Sequence, residues 1–306
     1  MPIFHNHVGI NLTETKLQLV EISYKQNSFY LENVDQKIFK EQFVPTLPEN
    51  KMISILQDSF EKIINKKSVN SNFISFCLPN NFFKIIELPF DNALTKKDLQ
   101  EQLKWELSIL FPDDLEDKYF IQNVEVNKTS LRKEFKTLIF AIEKRFVKTL
   151  NKFCKENNLE LKFVDNSHLA SNAFLHLDKR TSNDSIILSL YIDQVQSSIS
   201  ALEGHNPFYF KIIDERSNEF SEELSKVITE LSVFGVNRKN IGSVILNGLN
   251  VTSEFEKSIS AVLKLPIIKI NPFERLKIDE QIKNNPLFLS QYNSFTAATG
   301  IAIRIV

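Results

Sequence analysis

The sequence predicts an α/β protein made of two halves that share one order of strands and helices, with a further unit inserted in the first half. Residues 1–80 are predicted as β-β-β-α-β, and residues 185–270 as β-β-β-α-β-α-β. Between them, residues 82–165 form a block of their own with the order β-α-β-β-α-β. At 42% hydrophobic and 25% charged residues, the chain has the composition of an ordinary globular protein.

The first half begins with three short strands followed by a helix and a buried strand. Breaks rich in Thr, Glu, Lys, Gln and Asn separate the strands, and apolar residues recurring three and four positions apart mark the helix. Pro79 ends the last strand. The predicted elements are strands 8–11, 16–23 and 29–36, helix 49–66 and strand 72–78.

The inserted block is bounded by prolines and has a clear helix start. Pro89 ends its first strand, and Thr95 with Asp98 three positions later is a capping pair for a helix that stops at Pro112. The remaining predicted elements are strands 118–126 and 134–141, helix 144–157 and strand 161–165, with helix 167–177 following. This order is that of a ferredoxin-like βαββαβ subdomain, so the first half is predicted to span 1–183 with its insertion at about 82–165.

The second half is predicted to span 184–291. Its elements are strands 186–192, 197–203 and 208–213, helix 219–234, strand 243–246, helix 253–263 and strand 267–270. The last segment, 292–306, contains a predicted helix whose small apolar residues favour packing back on the core. A duplicated fold with an insertion in the first half is the plan of the actin-like, ribonuclease-H-like superfamily, in which a cleft separates the halves. Two unrelated α+β domains are the alternative.

Glycine content and charge exclude several functions. The chain has only 6 glycines in 306 residues, about 2% where roughly 7% is usual. No two of them form the G-x-G of a Rossmann or P-loop phosphate site. The net charge of −1 gives no attraction to nucleic acid. Of the few histidines, His5 and His7 are close but lack a third ligand nearby, so no metal site is predicted.

The chain is expected to be cytoplasmic. No stretch approaches the ~18 apolar residues that would cross a bilayer, so no direct membrane insertion is predicted. The two cysteines, Cys77 and Cys154, lie in apolar surroundings, as buried free thiols of a reducing compartment do.

An ordered set of short motifs resembles the PilM family, the actin-like cytoplasmic component of type IV pilus assembly, which is itself similar to FtsA. The motifs cover nearly the whole chain. They are Val8-Gly9-Ile10 followed by 17–21, Glu87-Leu88-Pro89, Trp105-Glu106 with Pro112, Ala141-Ile142-Glu143-Lys144, Val164-Asp165, Asn271-Pro272-Phe273, and Ala297-Ala298-Thr299-Gly300-Ile301-Ala302. The resemblance implies a scaffold that binds the cytoplasmic N-terminal tail of a single-pass inner-membrane protein, PilN-like, through a short apolar stretch of the form I-N-L-L-P.

The nucleotide motifs of that family are altered in this chain. Where the two D-x-G phosphate turns are expected, Asn11 and Thr13 stand in the first and Tyr191 and Asp193 in the second; a carboxylate at Asp193 would repel phosphate. The adenosine loop S-G-G-G falls on Asn247-Gly248-Leu249-Asn250, and the small clamping subdomain expected between 214 and 243 is reduced to one helix. We therefore predict a degenerate cleft with no catalytic residues and no cofactor.

The partner site is predicted in the inserted subdomain. The candidate residues are Phe82, Phe83, Ile85, Trp105 and Leu110. The protein would then lie at the inner membrane through its partner, in a pilus, type II secretion or other machine; whether it forms a homodimer stays open. One alternative is an active actin-like ATPase or small-molecule kinase that uses ATP and Mg²⁺ with Asp193 and Asp165 as replacement ligands, although Asp165 suits a helix cap. Another is an adaptor of the GspL or FtsA type.

Overall fold

The first half is built on a six-stranded sheet. The computed structural model describes residues 6–89, 93–112, 118–126, 136–176, 186–204, 206–214, 220–249, 251–278 and 280–304. The strands of this sheet, in chain order, are β1 (His7–Leu12), β2 (Lys16–Lys25), β3 (Ser28–Ile38), β4 (Phe73–Leu78), β8 (Glu160–Asn166) and β14 (Lys277–Ile278). Their spatial order is β14-β3-β2-β1-β4-β8, with β4 and β8 parallel to β1.

The second half repeats this arrangement in a five-stranded sheet. Its strands are β9 (Ile186–Ile192), β10 (Gln196–Glu203), β11 (Asn206–Asp214), β12 (Ile241–Gly248) and β13 (Ile267–Lys269), in the spatial order β11-β10-β9-β12-β13. In each half the third, second, first, fourth and fifth strands lie side by side, and the first three form an antiparallel meander. The predicted duplication is therefore confirmed.

The inserted unit is smaller than the predicted ferredoxin-like subdomain. It consists of β5 (Phe83–Pro89), α2 (Lys96–Leu110), β6 (Tyr119–Val126) and β7 (Lys136–Glu143), with the strand order β5-β7-β6. The last two elements of the predicted βαββαβ order, α3 (Lys144–Glu156) and β8, belong to the first half instead. The prediction that 82–165 forms one βαββαβ subdomain is therefore wrong. β8 pairs with β4, and the apolar face of α3 is buried in the core of the first half.

Aromatic packing explains why α3 joins that core. Its Phe153 is fully buried and meets Phe60 of α1 (Glu49–Ile64) and Phe76 of β4 edge-to-face, with ring centroids 5.5 and 6.2 Å apart. Such contacts stabilise beyond the burial of area alone. In α2, Thr95 caps the helix as predicted, since its hydroxyl accepts the N–H of Asp98.

Two short helices cross between the halves. α4 (Ser167–Ser171), after the last strand of the first half, lies against the second sheet, where His168 contacts Ser198. α9 (Thr296–Ala302), in the segment that follows the second half, is buried along all its residues against β1 and α4. A Cβ on Gly300 would lie 1.9 Å from the carbonyl oxygen of Ala170, so only glycine permits this approach of α9 to α4.

The remaining helices complete the layers and include elements that the sequence pattern does not predict. The described helices not yet given are α5 (Phe220–Ser232), α6 (Ser253–Leu263), α7 (Glu280–Lys283) and α8 (Pro286–Ser290), with 3-10 turns at Asn80–Phe82, Asn172–His176 and Tyr292–Phe295. The predicted helix 167–177 is a short α-helix followed by a 3-10 turn, whereas the predicted helix of the last segment is a 3-10 turn followed by a short α-helix. β14, α7 and α8 are too short for periodicity to reveal. The predicted boundary at 183/184 lies outside the described residues.

Candidate functional site

The first predicted phosphate turn is occupied by its own hydrogen bonds. Asn11, at the end of β1, is fully buried; its amide donates to Gln18 (3.1 Å) and to the Tyr191 hydroxyl (3.4 Å), and its carbonyl oxygen accepts from the Ser167 hydroxyl (2.9 Å). Thr13 lies in the β1–β2 turn, where its hydroxyl accepts the N–H groups of Thr15 (3.2 Å) and Lys16 (3.0 Å). The N–H groups of Thr15 and Lys16 are therefore already bonded within the turn.

The second turn is built in the same way and touches the first. Tyr191, on β9, is buried at the junction of the halves, and burial raises the pKa of its phenol well above the usual value. Asp193 is also buried, and its carboxylate accepts the N–H of Gln194 (2.6 Å). The Gln194 side-chain oxygen accepts the Thr15 hydroxyl at 2.5 Å, so the tips of the two hairpins are in direct contact.

The third altered motif is shaped by backbone packing. Gly248 has φ +114°, and a Cβ there would lie 2.1 Å from the carbonyl oxygen of Ile192, so this glycine serves the close approach of β12 to β9. The same carbonyl accepts the N–H of Leu249 at 2.8 Å. Asn247 is fully buried, and neither the nitrogen nor the oxygen of its side-chain amide has a hydrogen-bond partner among the described residues. The fourth position, Asn250, lies outside the described residues.

Charges in this region balance internally. Burial lowers the pKa of the Lys16 amine, and the nearby Asp193 carboxylate partly opposes that shift. Burial raises the pKa of Asp165, whose carboxylate forms an ion pair with Arg304. The cap of α4 is Asn166 rather than Asp165, since the Asn166 side chain accepts the N–H groups of the first turn. The Asp165 carboxylate is thus paired with Arg304, which does not favour its predicted alternative role as a replacement metal ligand.

A buried histidine fills the space beneath the two turns. The His168 ring nitrogens lie 2.8 Å from the Ser198 hydroxyl and 3.1 Å from the Ser189 hydroxyl, and the Ser189 hydroxyl in turn donates to Asn172 (2.6 Å). Burial lowers the pKa of His168 to about 3, which keeps the ring neutral at pH 7. The imidazole is fully buried and joins α4, at the end of the first half, to two strands of the second sheet, so it is a structural link between the halves.

An apolar groove of about 330 Å³ lies beside the inserted sheet. We call it the outer groove. One wall is β6, with Phe120 and Gln122; the other is β8, with Leu161 and Phe163; its floor includes Phe83 and Phe140. Among the described residues, β6 and β8 are each paired on one side only, so both walls are sheet edges. A groove between two unrelated sheets has no local sequence signal, which is why Phe120 and Phe163 were not among the predicted residues.

The five predicted partner residues do not share one surface. Phe82 is buried in the core of the first half, Phe83 lines the outer groove, and Ile85 packs against the core of the second half. Trp105 and Leu110 lie on the exposed side of α2, with 60% and 48% of their surfaces accessible. The buried side of α2 covers the opposite face of the small sheet, so these two residues lie apart from the groove.

The described part of the chain holds neither a candidate metal cluster nor a candidate membrane-spanning helix. No cluster of three or more His, Cys, Asp or Glu side chains occurs within the described part of the chain. His5 lies outside that part, and His7 bonds to Ser75 at 2.7 Å. No described helix is both long enough and apolar enough to cross a membrane.

Comparison with known proteins identifies the fold. No family model matches the sequence, and no curated protein matches it. A solved structure described as a PilM-PilN type IV pilus biogenesis complex is similar over 99% of both chains, with a TM-score of 0.76 and 14% identity. A Bacteroides thetaiotaomicron protein of unknown function with an actin-like ATPase fold is similar over 87% of this chain and 91% of that chain, with a TM-score of 0.53 and 14% identity.

These similarities agree with the two matching sheets and the cleft between them. Three features of this chain were found independently of the comparison. They are the order of the strands, the insertion after the fourth strand of the first half, and the crossing of α4 with α9. The chain therefore has the actin-like ATPase fold, as its sequence predicts.

Proposed function

We propose that this chain is a nucleotide-free actin-like scaffold of a type IV pilus or related secretion machine. In this role it binds the cytoplasmic tail of a single-pass inner-membrane protein in the outer groove and lies at the membrane through that partner. The observation that carries the proposal is the groove itself, an apolar slot between two sheet edges. The similarity in fold to a chain from a PilM-PilN complex supports the choice of partner class.

The shape of the groove suits an extended apolar peptide. Sheet edges carry backbone N–H and C=O groups that a strand-like peptide can bond, while pockets between the edges accept its side chains. Phe120 offers an aromatic anchor at the rim, since 47% of its surface is accessible and Lys144 lies over its ring. Exposed aromatic residues of this kind often dominate the binding energy of an interface.

The cleft geometry supports the nucleotide-free part of the proposal. Asn11, Tyr191 and Ser167 bond to one another where phosphates are held in active relatives, and the hairpin tips meet through Thr15 and Gln194. A triphosphate would have to break these bonds and approach the buried Asp193 carboxylate. This arrangement supports a cleft that holds no ATP.

The test is the binding of a fluorescein-labelled I-N-L-L-P peptide, measured by fluorescence anisotropy. Phe120→Asp places a charge in the groove at an exposed edge position, so the fold should tolerate it. We expect affinity to fall by about 30-fold, the equivalent of about 2 kcal/mol for an aromatic hot spot.

Trp105→Asp is the matched control, because Trp105 is also an exposed aromatic residue of the inserted unit and lies on its other face. It should bind the peptide as the unmodified protein does. The opposite result, loss with Trp105→Asp and none with Phe120→Asp, would move the docking surface to α2. Absence of binding in every variant would contradict the proposal.

A further inference from the structure

A second cavity of about 340 Å³ adjoins the outer groove, and we call it the inner chamber. The two cavities meet at Gln122, which lines both. On β6 the lining passes from Phe120 in the groove to Val124 in the chamber, and on β8 it passes from Val164 to Asp165. The two spaces therefore follow each other along the same pair of sheet edges.

The inner chamber is the place where the three parts of the molecule meet. The inserted sheet contributes Val124, the first half contributes Ala173 after α4, and the second half contributes Leu202 and Pro207 of the β10–β11 hairpin. Gly300 of α9 also lines it, at the point where α9 touches α4. A chain segment that filled this chamber would contact both halves and the insertion at once.

Polar groups stand at the junction between groove and chamber. The Arg304 guanidinium pairs with Asp165, which lines the chamber, and lies 4.9 Å from the ring of Phe163, which lines the groove. The Gln122 amide forms no hydrogen bond with any residue that the structure describes. Because the Arg304–Asp165 pair is neutral overall, these groups suit the carbonyl and N–H groups of a peptide backbone rather than a free anion.

We propose that the outer groove and the inner chamber form one continuous channel, so that an extended apolar peptide bound beside the inserted sheet reaches the second half and ties the two halves together. The inference rests on the proposed function and adds to it a coupling between partner binding and the arrangement of the halves. Four strand steps separate Phe120 from Val124, about 13 Å, so a five-residue extended peptide is long enough to enter both cavities.

The test uses two variants that narrow the chamber from different walls and leave the outer groove unchanged. Ala173→Leu narrows it from the first half, and Val124→Phe narrows it from the inserted sheet. We expect each to weaken I-N-L-L-P binding about 10-fold while thermal unfolding confirms that the variant is folded. Hydrogen exchange of the unmodified protein should also show peptide-induced protection in the β10–β11 hairpin, which does not line the outer groove.

The outcomes separate this inference from the proposed function. If Phe120→Asp weakens binding but the folded chamber variants bind normally and the hairpin gains no protection, the channel is wrong and the outer groove stands. If a single chamber variant fails to fold, the other variant and the exchange experiment decide. If the peptide does not bind at all, or binds without regard to Phe120, both proposals are overturned.

Discussion

Replacing Gly300 with alanine tests whether the contact between α9 and α4 holds the halves together. Two effects oppose each other. Alanine favours a helix interior over glycine by about 1 kcal/mol, so the intrinsic change would stabilise α9. The new Cβ, however, would lie 1.9 Å from the carbonyl oxygen of Ala170, a backbone atom that no side-chain rotation can move away.

The clash should outweigh the gain in helix propensity. Overpacking a filled core costs about 1 to 3 kcal/mol and sometimes more, and here two buried helices must separate. We expect a net loss of about 2 kcal/mol in the free energy of unfolding, or a melting midpoint lower by about 3 °C for a chain of this size.

Thermal and urea unfolding of the Gly300→Ala variant measure this loss. The control is Ala261→Gly at an exposed position of α6, which measures the propensity term alone in this protein. A Gly300→Ala variant with an unchanged or higher midpoint would show that α9 and α4 do not pack as described.

Two further predictions concern the interior between the halves. Burial lowers the pKa of His168 from its ordinary value of 6.5 to about 3, so below pH 6.5 the unfolded chain takes up a proton that the folded chain does not. The free energy of unfolding should therefore fall by about 2 kcal/mol between pH 7 and pH 5. Urea unfolding of His168→Gln should show a smaller fall, and an equal fall would contradict the assignment. Calorimetric titration with MgATP should give no binding heat. Release of phosphate from ATP should stay at the background rate in the unmodified protein and in Asp193→Ala. Micromolar binding, or a turnover that depends on Asp193, would favour the active-enzyme alternative.

The inserted unit shows where sequence reasoning succeeds and where it fails. Local signals marked its elements correctly, since Thr95 caps α2 and Pro89 ends β5. Which sheet β8 joins is not a local property. Its partner β4 lies more than eighty residues earlier in the chain, and only the shared core with α3 selects that pairing.

The candidate site shows the same division. The predicted turn residues Asn11, Thr13, Tyr191 and Asp193 follow from the resemblance of the sequence to the PilM family. The contact between Thr15 and Gln194 could not be predicted in this way, because it depends on how far the two hairpins approach each other across the cleft. The outer groove was equally hidden, since Phe120 and Leu161 become neighbours only when two separate sheets are assembled.

By itself the sequence determined the order of the main elements, the duplication and the residues that stand at the predicted phosphate turns. These properties depend on the spacing of apolar residues and on backbone freedom, both of which act over a few residues. The tertiary structure alone decided how β8 pairs, how α4 and α9 cross at Gly300, and where a groove opens between the sheets. Those features depend on packing between segments far apart in the chain, where close approach and burial, rather than local preference, select the arrangement.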